Sequence, residues 1–307
     1  MPHGALPPLI VIAGETATGK TGLSLAIAEA LGAEIISADS RQVYRGMDIG
    51  TAKVDAADRA RVPHHGLDLV DPHERFTAAD FRRYALGVLE GIGLRGRPAI
   101  LVGGTGLYLR AVARGLPMGT TGDDPATRAE LETRLEAEGL PSLLDELRSI
   151  APTAYERVDR ANHRRVIRAI ERARIHGDTP PPAPEGYPAP VTWLGVTPGP
   201  DHLQVIEERV RAQFRDGLLG EAAALGARYA EELPPFGAMG YREAFDVLAG
   251  RRSLESAILR DVERTRSYAS RQRTWFRSEP DIQWLPPGPN VVGAALQVIR
   301  AKGHGRS

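Results

Sequence analysis

The chain has 307 residues, 42% hydrophobic and 25% charged, a composition that builds a sizeable buried core and excludes disordered, fibrous or collagenous chains. Its 39 basic and 39 acidic residues cancel, so bulk charge does not mark a nucleic-acid binder. The absence of cysteine excludes disulfide scaffolds, zinc knuckles, iron–sulfur clusters and thiol nucleophiles.

The first eight residues, Met-Pro-His-Gly-Ala-Leu-Pro-Pro, lack the basic and apolar regions of an export signal. No apolar stretch reaches the roughly 18–20 residues of a membrane span, so a soluble, cytoplasmic protein is expected. Leu9-Ile10-Val11-Ile12-Ala13 is a short apolar, β-branched run, which predicts a buried parallel strand. Gly14 breaks it, and 21–31 reads as a helix closed by Gly32. Residues 33–38 form a second predicted strand, ending at Asp39. Thr77 and Asp80 have the spacing of an acidic capping box, and Phe81, Tyr84, Ala85, Val88 and Leu89 repeat as one face of the following helix. A third strand, 99–102, stops at Gly103-Gly104-Thr105-Gly106. Strand and helix alternate as in an α/β fold, a P-loop-type parallel sheet flanked by helices.

From Leu116 the texture changes. Residues 120–176 read as helices, clearest at 130–138, 143–150 and 164–175, followed by a proline-rich segment, 179–190. A strand at 193–197 returns to the sheet, helices continue to Phe276, and the last seven residues read as frayed. A mostly helical insertion domain at 118–190 is therefore expected, within an α/β core of 1–117 completed by 191–307.

Gly14-Glu15-Thr16-Ala17-Thr18-Gly19-Lys20-Thr21 matches G-x-x-x-x-G-K-[ST] in full, after a strand and opening a helix. Successive backbone N–H groups and the helix N-terminus make an anion cradle, Lys20 adds a point charge, and Thr21 can ligate Mg²⁺ on the same phosphates. Ligands of such sheets bind outside the carboxyl ends of the strands, where Asp39-Ser40-Arg41 and Thr105 also arrive. Asp39 there is a metal ligand, a general base or a helix N-cap, and Thr105 serves the site or its turn. Charge is also uneven: six arginines face one acid over 160–176, and eight face three over 251–277. Such patches suit a polyanion, or arise as solvated arginine-rich helix faces. On a helix over 254–276, Arg260, Arg264, Ser267, Arg271 and Thr274 share one stripe. Ile258, Val262, Thr265, Ala269, Gln272 and Phe276 share another, so part of the packed face is polar.

The run from Asp39 to Lys53, Asp-Ser-Arg-Gln-Val-Tyr-Arg-Gly-Met-Asp-Ile-Gly-Thr-Ala-Lys, closely resembles the signature of the tRNA dimethylallyltransferase (isopentenyltransferase) family. Val62-Pro-His-His65, Phe76-Thr-Ala-Ala-Asp-Phe81, Val102-Gly-Gly-Thr-Gly-Leu-Tyr108, Arg165-Val-Ile-Arg-Ala-Ile-Glu171, Gly240-Tyr-Arg-Glu243 and Thr265-Arg-Ser-Tyr-Ala-Ser-Arg-Gln-Arg-Thr-Trp-Phe-Arg277 extend the likeness. The resemblance implies transfer of a dimethylallyl group from dimethylallyl diphosphate to N6 of the adenosine at tRNA position 37, by a monomer using Mg²⁺. It assigns Asp39 as base, with Thr105 and Lys20 also catalytic. Gly14, Thr16, Ala17, Thr18, Gly19, Lys20, Thr21 and Arg209 fall to the diphosphate, with Thr21 on the metal. It assigns Asp39, Ser40, Arg41, Gln42 and Thr105 to the target base. Arg128, Arg164, Arg165, Arg168, Gly240, Tyr241, Arg242, Arg271, Gln272, Arg273, Trp275 and Arg277 fall to the tRNA.

The chain departs from the family at Glu15, where Pro is usual, at Val205, where many members carry a diphosphate-contacting arginine, and at Ser270, commonly Lys. The Glu15 side chain is expected to point away from the phosphates, and Arg209, one turn beyond Val205, to compensate. Three other functions share parts of the pattern. They are a P-loop kinase holding ATP, an isopentenyltransferase of free adenine nucleotides, and an RNA-binding protein with a relict P-loop. The long basic C-terminal helix is surplus to a metabolite kinase, and intact Lys20, Thr21 and Asp39 argue against a relict.

Overall fold

Strand β1 (Leu9–Ala13) is completely buried because alternate residues serve two cores. Leu9, Val11 and Ala13 join one apolar cluster, and Ile10 and Ile12 join another on the opposite face of the sheet. In this computed structural model, which describes residues 6–118 and 125–303, the chain continues through α1 (Lys20–Leu31), β2 (Glu34–Ser37), α2 (Ala56–Arg61), β3 (His64–His65), α3 (Ala78–Leu94), β4 (Ala99–Gly103) and α4 (Gly106–Ala113). Helices α5 (Pro125–Glu138), α6 (Leu140–Ile150), α7 (Pro152–Arg157) and α8 (His163–His176) follow. Strand β5 (Val191–Val196) then leads to α9 (His202–Arg215), α10 (Leu218–Gly226), α11 (Tyr241–Leu248), α12 (Leu254–Arg277), β6 (Gln283–Leu285) and α13 (Val291–Ala301).

The six strands are all parallel, in the order β3-β2-β4-β1-β5-β6. Leu9 lies level with Ala99 on one side and Val191 on the other, so β1 and β4 end level at Ala13 and Gly103, opposite Gly195, one residue before the end of β5. The capping box forms as spaced: Thr77 N–H donates to Asp80 Oδ2 (2.9 Å), and Asp80 N–H donates to Thr77 Oγ1 (3.2 Å). Along α12, Ile258, Val262, Thr265, Ala269, Gln272 and Phe276 are all buried. Strands β3 and β6, which periodicity did not reveal, have two and three residues, too few to alternate.

The chain divides into two compact units. One comprises Met1–Gly115 with Gly186–Ser307 and carries the sheet; the other is Leu116–Glu185. The second unit holds its own apolar cluster, centred on Leu131, Leu143, Leu147, Tyr155, Val166 and Ile170. The proline-rich segment is shared out. Gly186 N–H donates to the Arg114 carbonyl (3.2 Å) and the Tyr187 hydroxyl donates to the Pro7 carbonyl (2.9 Å), which anchors its end to the sheet unit. Among the described residues no helix is long and apolar enough to cross a membrane. Residues 1–5 of the inspected N-terminus, 120–124 of the expected helices and 304–307 of the expected frayed end lie outside the described residues.

At the entrance to β2, the buried Glu34 carboxylate receives Arg95 at 2.7 and 2.8 Å, His65 Nε2 at 2.8 Å and Arg97 at 3.5 Å. It thereby joins β2 to β3 and to the end of α3. The Arg95 hydrogen bonds hold its pKa down at about 2, overcoming the opposing effect of burial. Because the folded value lies below the ordinary 4.5, this stabilisation is complete above that pH and disappears as the pH falls toward 2. Arg95 and Arg97 are half exposed and screened, so the contribution is of order 1–2 kcal/mol. Denaturant titrations of wild type and Glu34→Gln should differ by that amount at pH 6 and converge between pH 4.5 and 2.

Candidate active site

The loop after β1 alternates handedness, with Gly14 at φ 149°, Ala17 at φ 60° and Gly19 at φ 83°. Such alternation points successive N–H groups inward and makes a concavity for an anion. Glycine adopts these angles freely, whereas Ala17 carries a left-handed strain of ~1–2 kcal/mol. Inside the loop, the Glu15 carbonyl accepts from the Thr18 hydroxyl (2.9 Å) and from the Lys20 ammonium. Burial pulls the Lys20 pKa down to about 7, helped by the nearby Arg209 cation and opposed by Asp39 and Glu15. Burial also works against the charge of Arg209, which Asp39 and Asp261 support.

A cavity of about 300 Å³ lies between this loop, the strand ends and α12. Thr16, Ala17, Thr18, Gly19, Lys20, Thr21, Asp39, Gln42, Arg209 and Gln272 line it, with Ile35, Val54, Leu67 and Val102 supplying apolar wall. Gly14 is buried beneath the loop. Asp39 Oδ1 accepts from the Arg41 N–H at 2.8 Å, a turn that sets the carboxylate at the cavity edge. The Thr105 hydroxyl accepts from the Ser40 N–H at 3.1 Å, joining the loops after β4 and β2. The Arg41 guanidinium donates to the Pro234 carbonyl at 3.2 Å. Gln42 accepts from the Ser37 hydroxyl (2.7 Å) and donates to the Thr51 carbonyl (3.0 Å). Sequence reasoning did not single out Tyr268, which also lines the cavity; burial and the Asp39 charge push its pKa up to about 12. Its only signal was its place within the Thr265-to-Arg277 run.

Helix α12 closes the site at very short range. A Cβ on Gly104 would stand 2.2 Å from Gln272 Nε2, and one on Gly106 would stand 2.3 Å from the Trp275 ring. Gln272 uses this proximity fully: Oε1 accepts from the Thr16 N–H (2.8 Å) and Nε2 donates to the Gly104 carbonyl (2.9 Å).

Glu15 is 3% exposed and turned away from the cavity, as expected. Its carboxylate is held bidentately by Arg273, at 2.6 Å from Nε and 2.9 Å from NH2. Four residues expected on RNA also make side-chain contacts within the fold. Arg273 serves Glu15. Gln272 is buried between two loops. Tyr241 is fully buried with its hydroxyl 2.5 Å from Glu221 Oε1. Arg128 is paired bidentately with the buried Glu171, at 2.8 and 2.7 Å. Gly240 is also buried, its N–H capping onto Glu243. In the basic stripe, Arg264 binds the buried Glu243 carboxylate at 2.6 Å, with Arg260 at 3.4 Å from it. Trp275 is half-buried beneath the Arg110 guanidinium. Arg164, Arg165, Arg242, Arg271 and Arg277 are exposed, and Arg168 is half-buried.

A family profile described as IPP transferase matches residues 42–279, and one described as isopentenyl transferase matches residues 7–60. A tRNA dimethylallyltransferase of Geobacter metallireducens is 43% identical over 90% of this chain and 92% of its own. One from Anaeromyxobacter dehalogenans is 42% identical over 96% and 98%. Among solved structures, the tRNA isopentenylpyrophosphate transferase of Bacillus halodurans superimposes with a TM-score of 0.72, at 38% identity over 96% of both chains. A eukaryotic dimethylallyltransferase described as acting on tRNA gives 0.74, at 26% identity over 91% of this chain and 74% of its own.

At pH 8 the Lys20 amine is mostly neutral in the empty site, and a bound phosphate restores its charge. Calorimetry of inorganic diphosphate binding in buffers of different ionisation enthalpy should show proton uptake at pH 8. That uptake should shrink by pH 6 and be weaker throughout in Lys20→Met.

Proposed function

The chain belongs to the IPP transferase family, and from that premise we propose that it transfers a dimethylallyl group from dimethylallyl diphosphate to N6 of the adenosine at tRNA position 37, beside the anticodon. The observation that carries this reading is one cavity lined together by the phosphate loop, Lys20, Arg209 and the Asp39 carboxylate. An allylic diphosphate loses its leaving group when the departing charge is stabilised, which is what the loop N–H groups, Lys20 and Arg209 supply. The C–O bond breaks with its electron pair passing to diphosphate, and the adenine nitrogen forms the C–N bond. That amine is a weak nucleophile because its lone pair is delocalised into the ring, so Asp39 accepts its proton as the bond forms. Thr105, tied to Ser40, fixes the loop from which Asp39 acts.

Mg²⁺, an ion that takes few protein ligands, suits the oxygen donors here: Thr21 lines the cavity, and its hydroxyl would hold the ion beside the diphosphate. Bound there, it would neutralise charge on the leaving diphosphate. Arg209 takes the place of the cation missing at Val205, since it lines the cavity directly.

The adenine must leave the anticodon-loop stack to reach Asp39, an extrusion that costs least in a single-stranded loop. In the sheet unit the exposed cations Arg271 and Arg277, with Trp275, on α12 and Arg242 on α11 would hold RNA backbone; in the helical unit Arg164 and Arg165, with Arg168, on α8 would do the same. We place the protein in the cytoplasm, acting as a monomer.

Purified protein incubated with Mg²⁺, dimethylallyl diphosphate and an unmodified tRNA carrying an adenosine run should yield isopentenyl adenosine at position 37 on nucleoside mass analysis. Asp39→Ala should lower turnover roughly 10²-fold or more with tRNA affinity little changed; wild-type turnover would remove Asp39 from the chemistry. Arg271→Ala should reduce the slope of log affinity against log salt by about one. An unchanged slope would assign that arginine to the fold.

A further inference from the structure

Arg273 stands among the arginines of the basic helix, yet it reaches the phosphate loop from behind. Its fork closes on Glu15, a loop residue whose carboxylate is buried and whose own carbonyl accepts from both Thr18 and Lys20. The next residue is fixed at both ends: Gln272 takes the Thr16 N–H, and His202 Nε2 lies 2.9 Å from the Thr16 carbonyl. His202 Nδ1, without a hydrogen-bond partner among the described residues, lies 3.8 Å from the Glu15 carboxylate. Two positions on, Ala17 holds a left-handed backbone that an L-residue keeps only when its surroundings over-determine it. The ties to residues 15 and 16 supply that over-determination.

We propose that Arg273 is a positioning residue for the phosphate cradle: through the buried Glu15 carboxylate it fixes the carbonyl that seats Lys20, and so joins α12 to the diphosphate site. The inference deepens the function proposed above, on which its tRNA comparison rests. It removes Arg273 from the RNA-reading set and gives it a task on the substrate at the other end of the reaction. It also accounts for Glu15 at a position where the family usually has proline.

Arg273→Met alone strands a buried carboxylate and is expected to unfold more easily, so the informative protein is Glu15→Gln/Arg273→Met, which removes both charges. Its melting temperature should lie near that of wild type. Its affinity for inorganic diphosphate should nonetheless fall about tenfold, while tRNA affinity and its salt slope stay unchanged. Arg273→Lys, which keeps one charged donor, should fall between wild type and the double variant in diphosphate affinity. In turnover assays the loss should appear in KM for dimethylallyl diphosphate more than in kcat. Wild-type diphosphate affinity in the double variant would overturn the proposal and leave the pair as packing alone. A salt slope lowered by about one with diphosphate affinity intact would overturn it in favour of an RNA phosphate contact. Because inorganic diphosphate is the probe, a failure of prenyl transfer itself would not be mistaken for either result.

Discussion

Backbone N–H groups bind an anion only while their loop keeps one shape, and here that shape is not the one its residues would choose alone. Gly14 and Gly19 accept their angles without cost, but Ala17 does not. The rest of the sheet unit can be read as the apparatus that holds residues 14–21 still. Strand β1 delivers the loop from a position where its side chains are divided between two cores, so it cannot shift toward one face without opening the other. Helix α12 presses on the loop from outside through Gln272 and Arg273, and α9 through His202. The cavity that results has its cations supplied by Lys20 and Arg209 and its carboxylate by Asp39, from three different parts of the chain.

Much of this was legible in the sequence because it is written in short-range patterns. A β-branched run followed by the phosphate motif, a capping box before an apolar stripe and a glycine-rich stop after a strand each specify local geometry through backbone sterics. The strands at 9–13 and 99–103 and the helix over 254–277 accordingly appear within a residue or so of their expected bounds. Strands β3 and β6 were not legible, since a two- or three-residue strand is made by its neighbours' unpaired groups rather than by its own composition.

The arginines show the other limit. Spacing located the stripe of α12 but could not say which guanidinium faces water, because that depends on carboxylates far away in the chain. Arg264 meets Glu243, Arg128 meets Glu171 and Arg273 meets Glu15, in each case a glutamate that is almost completely buried. Each such pair withdraws one acid along with one base, so the overall balance of 39 and 39 is unchanged, and a basic face depends only on where the remaining arginines lie. The departure at Glu15 was visible in the phosphate motif, and its partner Arg273 stood in the separate Thr265-to-Arg277 run. Only the fold brings the two within bonding distance.

The glycines of the loop after β4 set how closely α12 may approach, and the clearance is less than one methyl group at both Gly104 and Gly106. A helix seated that closely has no slack along the contact. Any side chain at either position would have to push α12 outward, and with it the Gln272 and Arg273 groups that grip the phosphate loop. The smallest residues of the site thus set how near its longest helix can lie.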